Sequence, residues 1–362
     1  MSIKFHHGKW YAVNRDPSGR QRSEVVSTRK SDAKTRDAEI KTDMRRGVWV
    51  DPKLGSATFA TWAAEWRSTV VHLKPLTLAG YDGLLRNYLL PAFGTIRLGR
   101  VTQPQVKGFV AGLVAKGLSP SRVRQANHLG SMIFKEAVAA GYLAKTPWVG
   151  IKVPRDRKRE PIVLEPEQID ALATAAEPYG VLIYVLAYGG LRWGEMAAVR
   201  RERCDILRAR IDVVEAVSEV GGHIHTGPPK SYARRSIRLP RFVAEMLGEH
   251  LAKIPPGGLV FTAPGGGPLR ASNFRRRVWL PATAAIDVLG LTPHHLRHTC
   301  ASLLIRRGAS IKAVQAQLGH STPVVTLNVY SHLFADDLDA LYRDVDHLWT
   351  KRAANESADH GV

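Results

Sequence analysis

The sequence predicts a mixed α+β fold that is mostly helical. Three observations carry that expectation. Short β-branched and aromatic runs sit between turn residues near the N-terminus and again near residue 211. Apolar residues recur three and four apart over most of the remainder, and a basic connector punctuated by prolines divides two such regions. A chain of 362 residues has room for two or three domains, and a hydrophobic fraction of 44% is enough to fill their cores.

Taken in order, Lys9-Trp10-Tyr11-Ala12-Val13 reads as a strand, Asp16-Pro17-Ser18-Gly19 as a turn, and Ser23 to Thr28 as the returning strand. Ser31 or Asp32 is placed to cap a helix that runs to about Arg46, where Gly47 stops it. Residues 51–56 have the composition of a linker. Helical spacing takes over from Thr58 to about Leu143. Phe59, Trp62, Trp66 and Val70 share one face, as do Leu78, Tyr81, Leu85 and Leu89. Residues 103–115 and 119–140 continue the pattern, the second opening with Ser119 as cap and Pro120 in the first turn. From Pro147 to Pro161 the connector carries Lys152, Arg155, Arg157, Lys158 and Arg159. Beyond it, helices are expected at about 166–176 and 179–188. Strands follow at Ile211 to Val217 and Ser236 to Leu239, and then helices to the end.

Charge narrows the class of partner. The formal net charge is +20, and so large an excess repels itself unless a polyanion compensates it. Nucleic acid fits, because each neutralised phosphate releases counterions. A membrane surface would call for a basic amphipathic helix with an aromatic face, which the sequence lacks. There is no signal-peptide-like stretch at the N-terminus and no run near the roughly 20 apolar residues that span a bilayer, so a cytoplasmic, nucleoid-associated setting is expected. Cys204 and Cys300 lie far apart and in no metal-ligand spacing, and there is no Walker pattern, so neither metal nor cofactor is expected. The charge is uneven. Residues 1–50 hold 12 Lys+Arg against 6 Asp+Glu, whereas residues 331–362 hold 3 against 7.

Five short pieces put phosphate-handling side chains at the ends of elements. In Gly189-Gly190-Leu191-Arg192-Trp193-Gly194-Glu195, the glycine pair ends one helix and Arg192 opens the next. Glu195, one turn on, can hold that guanidinium with its planar fork facing a phosphate. Thr226 to Arg235 spans a turn between strands and carries Lys230, a proton donor on a loop able to reach into a groove. Thr292-Pro293-His294-His295-Leu296-Arg297-His298-Thr299 starts a helix, with His294 and Arg297 three apart. Leu318-Gly319-His320 ends a helix at glycine and presents His320 in the loop. Ser321-Thr322-Pro323 starts a short helix whose last residues include Tyr330.

In this order, G-L-R-x-G-E, a hairpin lysine, H-x-L-R-H-T, L-G-H and T-L-x-x-Y-S-H-L resemble the catalytic domain of phage-type tyrosine recombinases, over about residues 162–335. The segments before it are similar, by pattern rather than by motif, to the core-binding and arm-binding domains of lambda-type integrases. The resemblance implies an arm-type DNA-binding domain at 1–50 and a helical, SAM-like core-DNA-binding domain at 57–146. It implies an α/β catalytic domain at 160–350 and a tail at 351–362. Arg192 and Arg297 would grip the scissile phosphate, Tyr330 would attack phosphorus, and Lys230 would protonate the leaving 5′ oxygen. His294 would assist proton transfer at the tyrosine, His320 would hydrogen-bond the phosphate, and Glu195 would buttress Arg192. The implied partners are double-stranded DNA attachment sites, further copies of the chain in a tetramer on a Holliday junction, a host DNA-bending factor and an excisionase.

The chemistry is consistent with these residue types. A free tyrosine titrates near 10, so it needs a cationic site to act as a nucleophile at neutral pH, and two arginines supply a fixed positive field. Storing the phosphodiester as a tyrosyl ester makes rejoining nearly thermoneutral, without ATP or metal. Alternatives stay open at this level: His295 for His294, Lys253 for Lys230, and Tyr342 for Tyr330. A resolvase, a transposon recombinase or a non-catalytic DNA-binding protein on the same fold also remains. After Tyr330, the residues Phe334, Leu338, Leu341, Val345 and Leu348 recur at helical spacing. Asp336, Asp337, Asp339, Asp344 and Asp346 lie opposite, which predicts an acidic amphipathic helix that docks on protein, its own or a neighbour's.

Overall fold

The computed structural model describes residues 3–15, 19–46, 50, 54, 56–155, 160–229, 234–331, 342–343, 345–347 and 349–350. The expected turn at 16–18, Gly47, Arg157 to Arg159, Lys230 and most of the expected tail helix lie outside the described residues. The chain divides into two compact units, residues 1–158 and 159–362.

The first unit opens with an antiparallel sheet, β1 (Ile3–His6), β2 (Lys9–Arg15) and β3 (Gln21–Ser27), in that spatial order. Sequence patterning did not reveal β1. It is paired through a tight turn at His7 and Gly8, both at positive φ, with His6 opposite Lys9. Helix α1 (Lys30–Arg45) packs on the sheet through Ala33 and Ile40. Its N-cap is Arg29 rather than Ser31 or Asp32, and Arg29 N–H donates to the Ser27 hydroxyl at 3.0 Å.

The helical part follows as α2 (Phe59–Thr69), α3 (Pro75–Leu84), α4 (Gln103–Ala115) and α5 (Pro120–Ala139). The Thr58 and Ser119 hydroxyls cap α2 and α5 by accepting from the N–H groups of Thr61 and Arg122. The expected stripe of Phe59, Trp62, Trp66 and Val70 is buried. Helix α3 continues through a π-turn at Leu85–Leu89, whose wider turn keeps Leu85 and Leu89 both on the buried face. Phe134 stacks on Phe59 at 5.5 Å between centroids, and Trp62 satisfies its indole N–H on the Ile133 carbonyl at 3.0 Å.

In the second unit the first helices are α6 (Pro166–Ala175), α7 (Gly180–Gly189) and the single turn α8 (Trp193–Met196). Strands β4 (Cys204–Asp205), β5 (Arg210–Val213) and β8 (Arg235–Arg238) form one small antiparallel sheet. A separate hairpin pairs β6 (Ala216–Val220) with β7 (His223–Gly227). The remaining helices are α9 (Arg241–Leu251), α10 (Ala271–Phe274, carried on through a π-turn to Ala285), α11 (Pro293–Arg306), α12 (Ile311–Leu318) and α13 (Pro323–Tyr330). Helix α7 is apolar on every side and therefore central, with α6, α9 and α11 packed around it. The single strand expected at 211–217 is in fact two, β5 in the sheet and β6 in the hairpin. The return strand β7 carries little apolar alternation and escaped notice. Among the described residues no helix is long and apolar enough to cross a membrane.

One contact in the first unit gives a direct test of the packing. A Cβ built on Gly130 of α5 would lie 2.4 Å from Cζ2 of Trp148. Gly-to-Ala changes inside helices ordinarily gain about 0.5–1 kcal/mol. Gly130→Ala is expected instead to cost about 1–3 kcal/mol as the indole is displaced, lowering the thermal midpoint. A midpoint equal to or above wild type would show that Trp148 yields freely.

Candidate active site

The site begins where α7 stops. Gly190 ends that helix at φ +69°, and a Cβ there would sit 2.7 Å from Leu318 Cδ2 and 3.0 Å from Cys300 Sγ. Only glycine lets the chain reverse this close to α11 and α12. The reversal delivers Arg192 to the N-cap of α8. Its backbone N–H donates to Glu195 Oε2 at 2.9 Å, and its Nη1 donates to Oε1 at 2.8 Å.

Glu195 is 2% exposed and has a second, tighter partner. Arg235, at the start of β8, donates from Nη1 to Oε1 at 3.0 Å and from Nη2 to Oε2 at 2.6 Å. Burial pushes the Glu195 pKa up, but the Arg235 fork and the Arg192 contacts outweigh it and hold the carboxyl at about 2. The carboxylate is thus a fixed anion between two guanidinium groups.

Arg297 of α11 is also 2% exposed and donates from Nη1 to the Gly190 carbonyl at 2.7 Å. Its Nη2 is buried and has no hydrogen-bond partner among the described residues. Burial and the nearby Arg192 push its pKa down to about 10, so it stays cationic at neutral pH. Three guanidinium groups around one carboxylate leave an excess of positive charge, and the spare N–H of Arg297 still lacks an acceptor. An anion with several oxygens would satisfy both.

The two histidine-bearing segments complete the cluster. Gly319 caps α12 at φ +67°, where a Cβ would strike Cδ of Arg235 at 2.7 Å, and its carbonyl accepts from Arg192 Nη2 at 3.3 Å. His320 follows, its Nδ1 2.9 Å from the buried Thr326 hydroxyl. Burial, then the charges of Arg297, Arg192 and Arg235, push its pKa down to about 4. Tyr330 is the last residue of α13 and is 2% exposed. Its hydroxyl lies 2.6 Å from Nδ1 of His298. Burial raises the phenol pKa, against the pull of Arg297.

The structure therefore gathers Arg192, Glu195, Arg297, His320 and Tyr330 around one another. His294 is exposed on α11, with its ring edge-on to His298 at 5.0 Å. His295 is committed elsewhere, since its Nδ1 accepts the Thr292 N–H at 3.0 Å as part of the α11 cap. Lys253 follows α9 on the surface, and Tyr342 is 68% exposed. Sequence reasoning missed Arg235 and His298. Arg235 shares the inward face of β8 with Ile237, and an arginine at an inward strand position is itself a signal. His298 stands four residues from His294, on the same helix face.

A profile of the phage integrase family matches residues 163–336. That stretch contains every described member of the cluster. Over that stretch, just under half of its length, the chain belongs to this family, the tyrosine recombinases. It is 27% identical to a XerC-like tyrosine recombinase of Caldanaerobacter subterraneus subsp. tengcongensis, covering 89% of this chain and 90% of that one. It is 29% identical to the putative prophage phiRv2 integrase of Mycobacterium tuberculosis, covering 98% and 95%. Among solved structures, the Tn1549 transposon integrase in complex with a circular intermediate DNA superposes with a TM-score of 0.70. That match covers 80% of this chain and all of the other at 21% identity, a likeness of fold. The match and these relatives support a site-specific recombinase.

The charge balance of a recombinase built this way sets its acid stability. Burial, then the neighbouring cations, also push His298 to about 4, against an ordinary 6.5. Between pH 6.5 and 4 the unfolded chain binds more protons at His298 and His320 than the native one, so stability is full above 6.5 and falls as pH drops toward 4. Glu195, depressed from 4.5 to about 2, contributes stability present above 4.5 and lost as pH falls toward 2. Thermal midpoints measured from pH 8 to pH 3 should start to decline below about 6.5. The double variant His298→Asn/His320→Asn should flatten the upper part of that decline. A flat wild-type profile down to pH 4.5 would contradict the buried neutral histidines.

Proposed function

We propose that the protein is an integrase that cleaves and rejoins DNA at attachment sites through a 3′-phosphotyrosyl bond to Tyr330. The observation that carries this reading is the spare, buried Nη2 of Arg297 beside the Arg192–Glu195–Arg235 network, with a buried tyrosine hydroxyl on the adjoining helix. A phosphodiester seated there takes hydrogen bonds from Arg192 and Arg297 through its non-bridging oxygens, and the pair stabilises the charge that builds in the pentacoordinate transition state. Tyr330 Oη bonds to phosphorus as the bond to the 5′ oxygen breaks. His320 donates to the phosphate, and His294, on the exposed edge of α11 one ring away from the tyrosine, assists proton transfer there. Lys230 protonates the leaving oxygen, an assignment that rests on its place in the sequence alone.

The remaining parts suit a long DNA site. Residues 1–50 carry 12 Lys+Arg against 6 Asp+Glu on a sheet-plus-helix scaffold, which supports an arm-type contact separate from the core site. The helical segment from α2 to α5 is read as the core-binding part and residues 160–350 as the catalytic part. The solved Tn1549 relative binds DNA, which supports DNA as the substrate here. The full reaction takes a tetramer on two synapsed sites, with a host bending factor and an excisionase as further partners.

Single-turnover cleavage of a nicked suicide substrate tests the reading. Arg192→Lys and Arg297→Lys keep the charge and lose the planar fork, and each should slow cleavage by roughly two to four orders of magnitude. Tyr330→Phe should form no covalent complex, with DNA affinity within a few-fold of wild type. Near-normal cleavage in either lysine variant, or adduct persisting in the phenylalanine variant, would overturn the assignment.

A further inference from the structure

A phenol that attacks phosphorus has to lose its proton as it does so, and the acceptor must touch the hydroxyl when the new bond forms. Among the described residues that contact is made by His298, whose Nδ1 lies 2.6 Å from Tyr330 Oη. His294, the histidine the family resemblance puts forward, meets the His298 ring instead, edge-on at 5.0 Å. Tyr330 is 2% exposed, so bulk water has little access to compete for its hydroxyl. We propose that His298 is a catalytic residue, whose Nδ1 takes the Tyr330 proton as the phenolic oxygen attacks and returns it when the strand is rejoined. The proposal rests on the reading of Tyr330 as nucleophile and deepens it.

The balance of the step is simple. The Tyr330 Oη–P bond forms, the P–O5′ bond breaks, and the phenol proton moves to His298. The 5′ oxygen leaves as a hydroxyl with a proton from the general acid, Lys230 in the reading above. On rejoining, a 5′ hydroxyl returns its proton to that same general acid as it attacks phosphorus, and Tyr330 Oη leaves, recovering its proton from His298.

The surroundings tie this transfer to a seated phosphate. His298 is faced by His294, His295 and Arg297 of its own helix, by His320 from the loop after α12, and by Tyr330 of α13. Burial first, and then these neighbours, keep it neutral near pH 7, so with the ring proton on Nε2 the Nδ1 lone pair is open to the phenol. The same field disfavours the imidazolium while the site is empty. A phosphodiester anion between Arg192 and Arg297 offsets that field and makes His298 a better base at the moment its proton is needed. An empty site thus keeps both groups idle.

The test uses the full chain in single-turnover trapping on the nicked substrate, with DNA affinity measured separately. His298→Ala should slow cleavage by about 100-fold or more with affinity within a few-fold. Added imidazole should restore part of the rate, and more basic substituted imidazoles should restore more. His298→Asn keeps an acceptor near the Nδ1 position but no basic nitrogen, and should stay at least about tenfold below wild type. It also serves if the alanine variant fails to fold. Cleavage by His298→Ala near the wild-type rate, or above it, would overturn the proposal. So would full recovery in His298→Asn, or rescue indifferent to imidazole basicity, since either would leave His298 only a positioning role. Failure of the nucleophile reading looks different, because adduct would then persist in Tyr330→Phe.

Discussion

The carboxylate of Glu195, a buried residue of α8, accepts four hydrogen bonds: two from Arg235, one from the Arg192 guanidinium and one from the Arg192 backbone. Everything charged in the site is arranged around it. Without that anion, Arg192, Arg235 and Arg297 would repel one another in a region of low dielectric, and burial would favour scattering them. With it, two guanidinium groups are pinned and the third keeps an N–H in reserve. Breaking a buried pair of this kind by removing one partner typically costs about 3–5 kcal/mol, so Arg235 matters to the site although it has no direct role in the chemistry proposed.

The fold supplies the geometry through close approach rather than through long elements. Helix α7 is buried because it is apolar all round, and it carries Gly189 and Gly190 to the point where β8, α11 and α12 converge. The carbonyl of Gly190 then holds Arg297, while the carbonyl of Gly319 holds Arg192. Two left-handed glycines therefore anchor the two arginines through their carbonyls. Added side chains at either position would push the elements apart before any chemistry was touched.

Much of this was legible in the sequence, because helix ends are chemically marked. Glycine pairs, threonine–proline starts and apolar spacing located both ends of α7 and α13, the start of α11 and the end of α12 within a residue or two, and with them Arg192, Arg297, His320 and Tyr330. What stayed hidden depends on long-range packing. Arg235 meets Glu195 from 40 residues away, and His298 meets Tyr330 across 32. Neither separation has a local signature, and His294 drew attention from His298 by sitting at the family's motif position. The cap on α11 separates the adjacent pair His294 and His295, because Nδ1 of His295 is used by the backbone. Strand β7 was missed for a different reason: His223-Ile224-His225-Thr226 has no apolar alternation to read, and only the paired Gly221 and Gly222 marked its turn.

The site is thus an anion hole built in advance, with a buried tyrosine hydroxyl at its edge and a neutral histidine already in contact with it. Fixed charge of this sort is worth most when it needs no rearrangement as the reaction proceeds. The most direct measurement is a crystal structure of the protein with a short core-site duplex, nicked at the cleavage position, and orthovanadate, which adopts the five-coordinate geometry of phosphoryl transfer. The expected result has vanadium bonded to Tyr330 Oη, its equatorial oxygens within hydrogen-bond distance of Arg192 and of Arg297 Nη2, and the Glu195–Arg235 pairing intact. Vanadate bound elsewhere, with Arg297 Nη2 still unpartnered beside the duplex, would contradict the account.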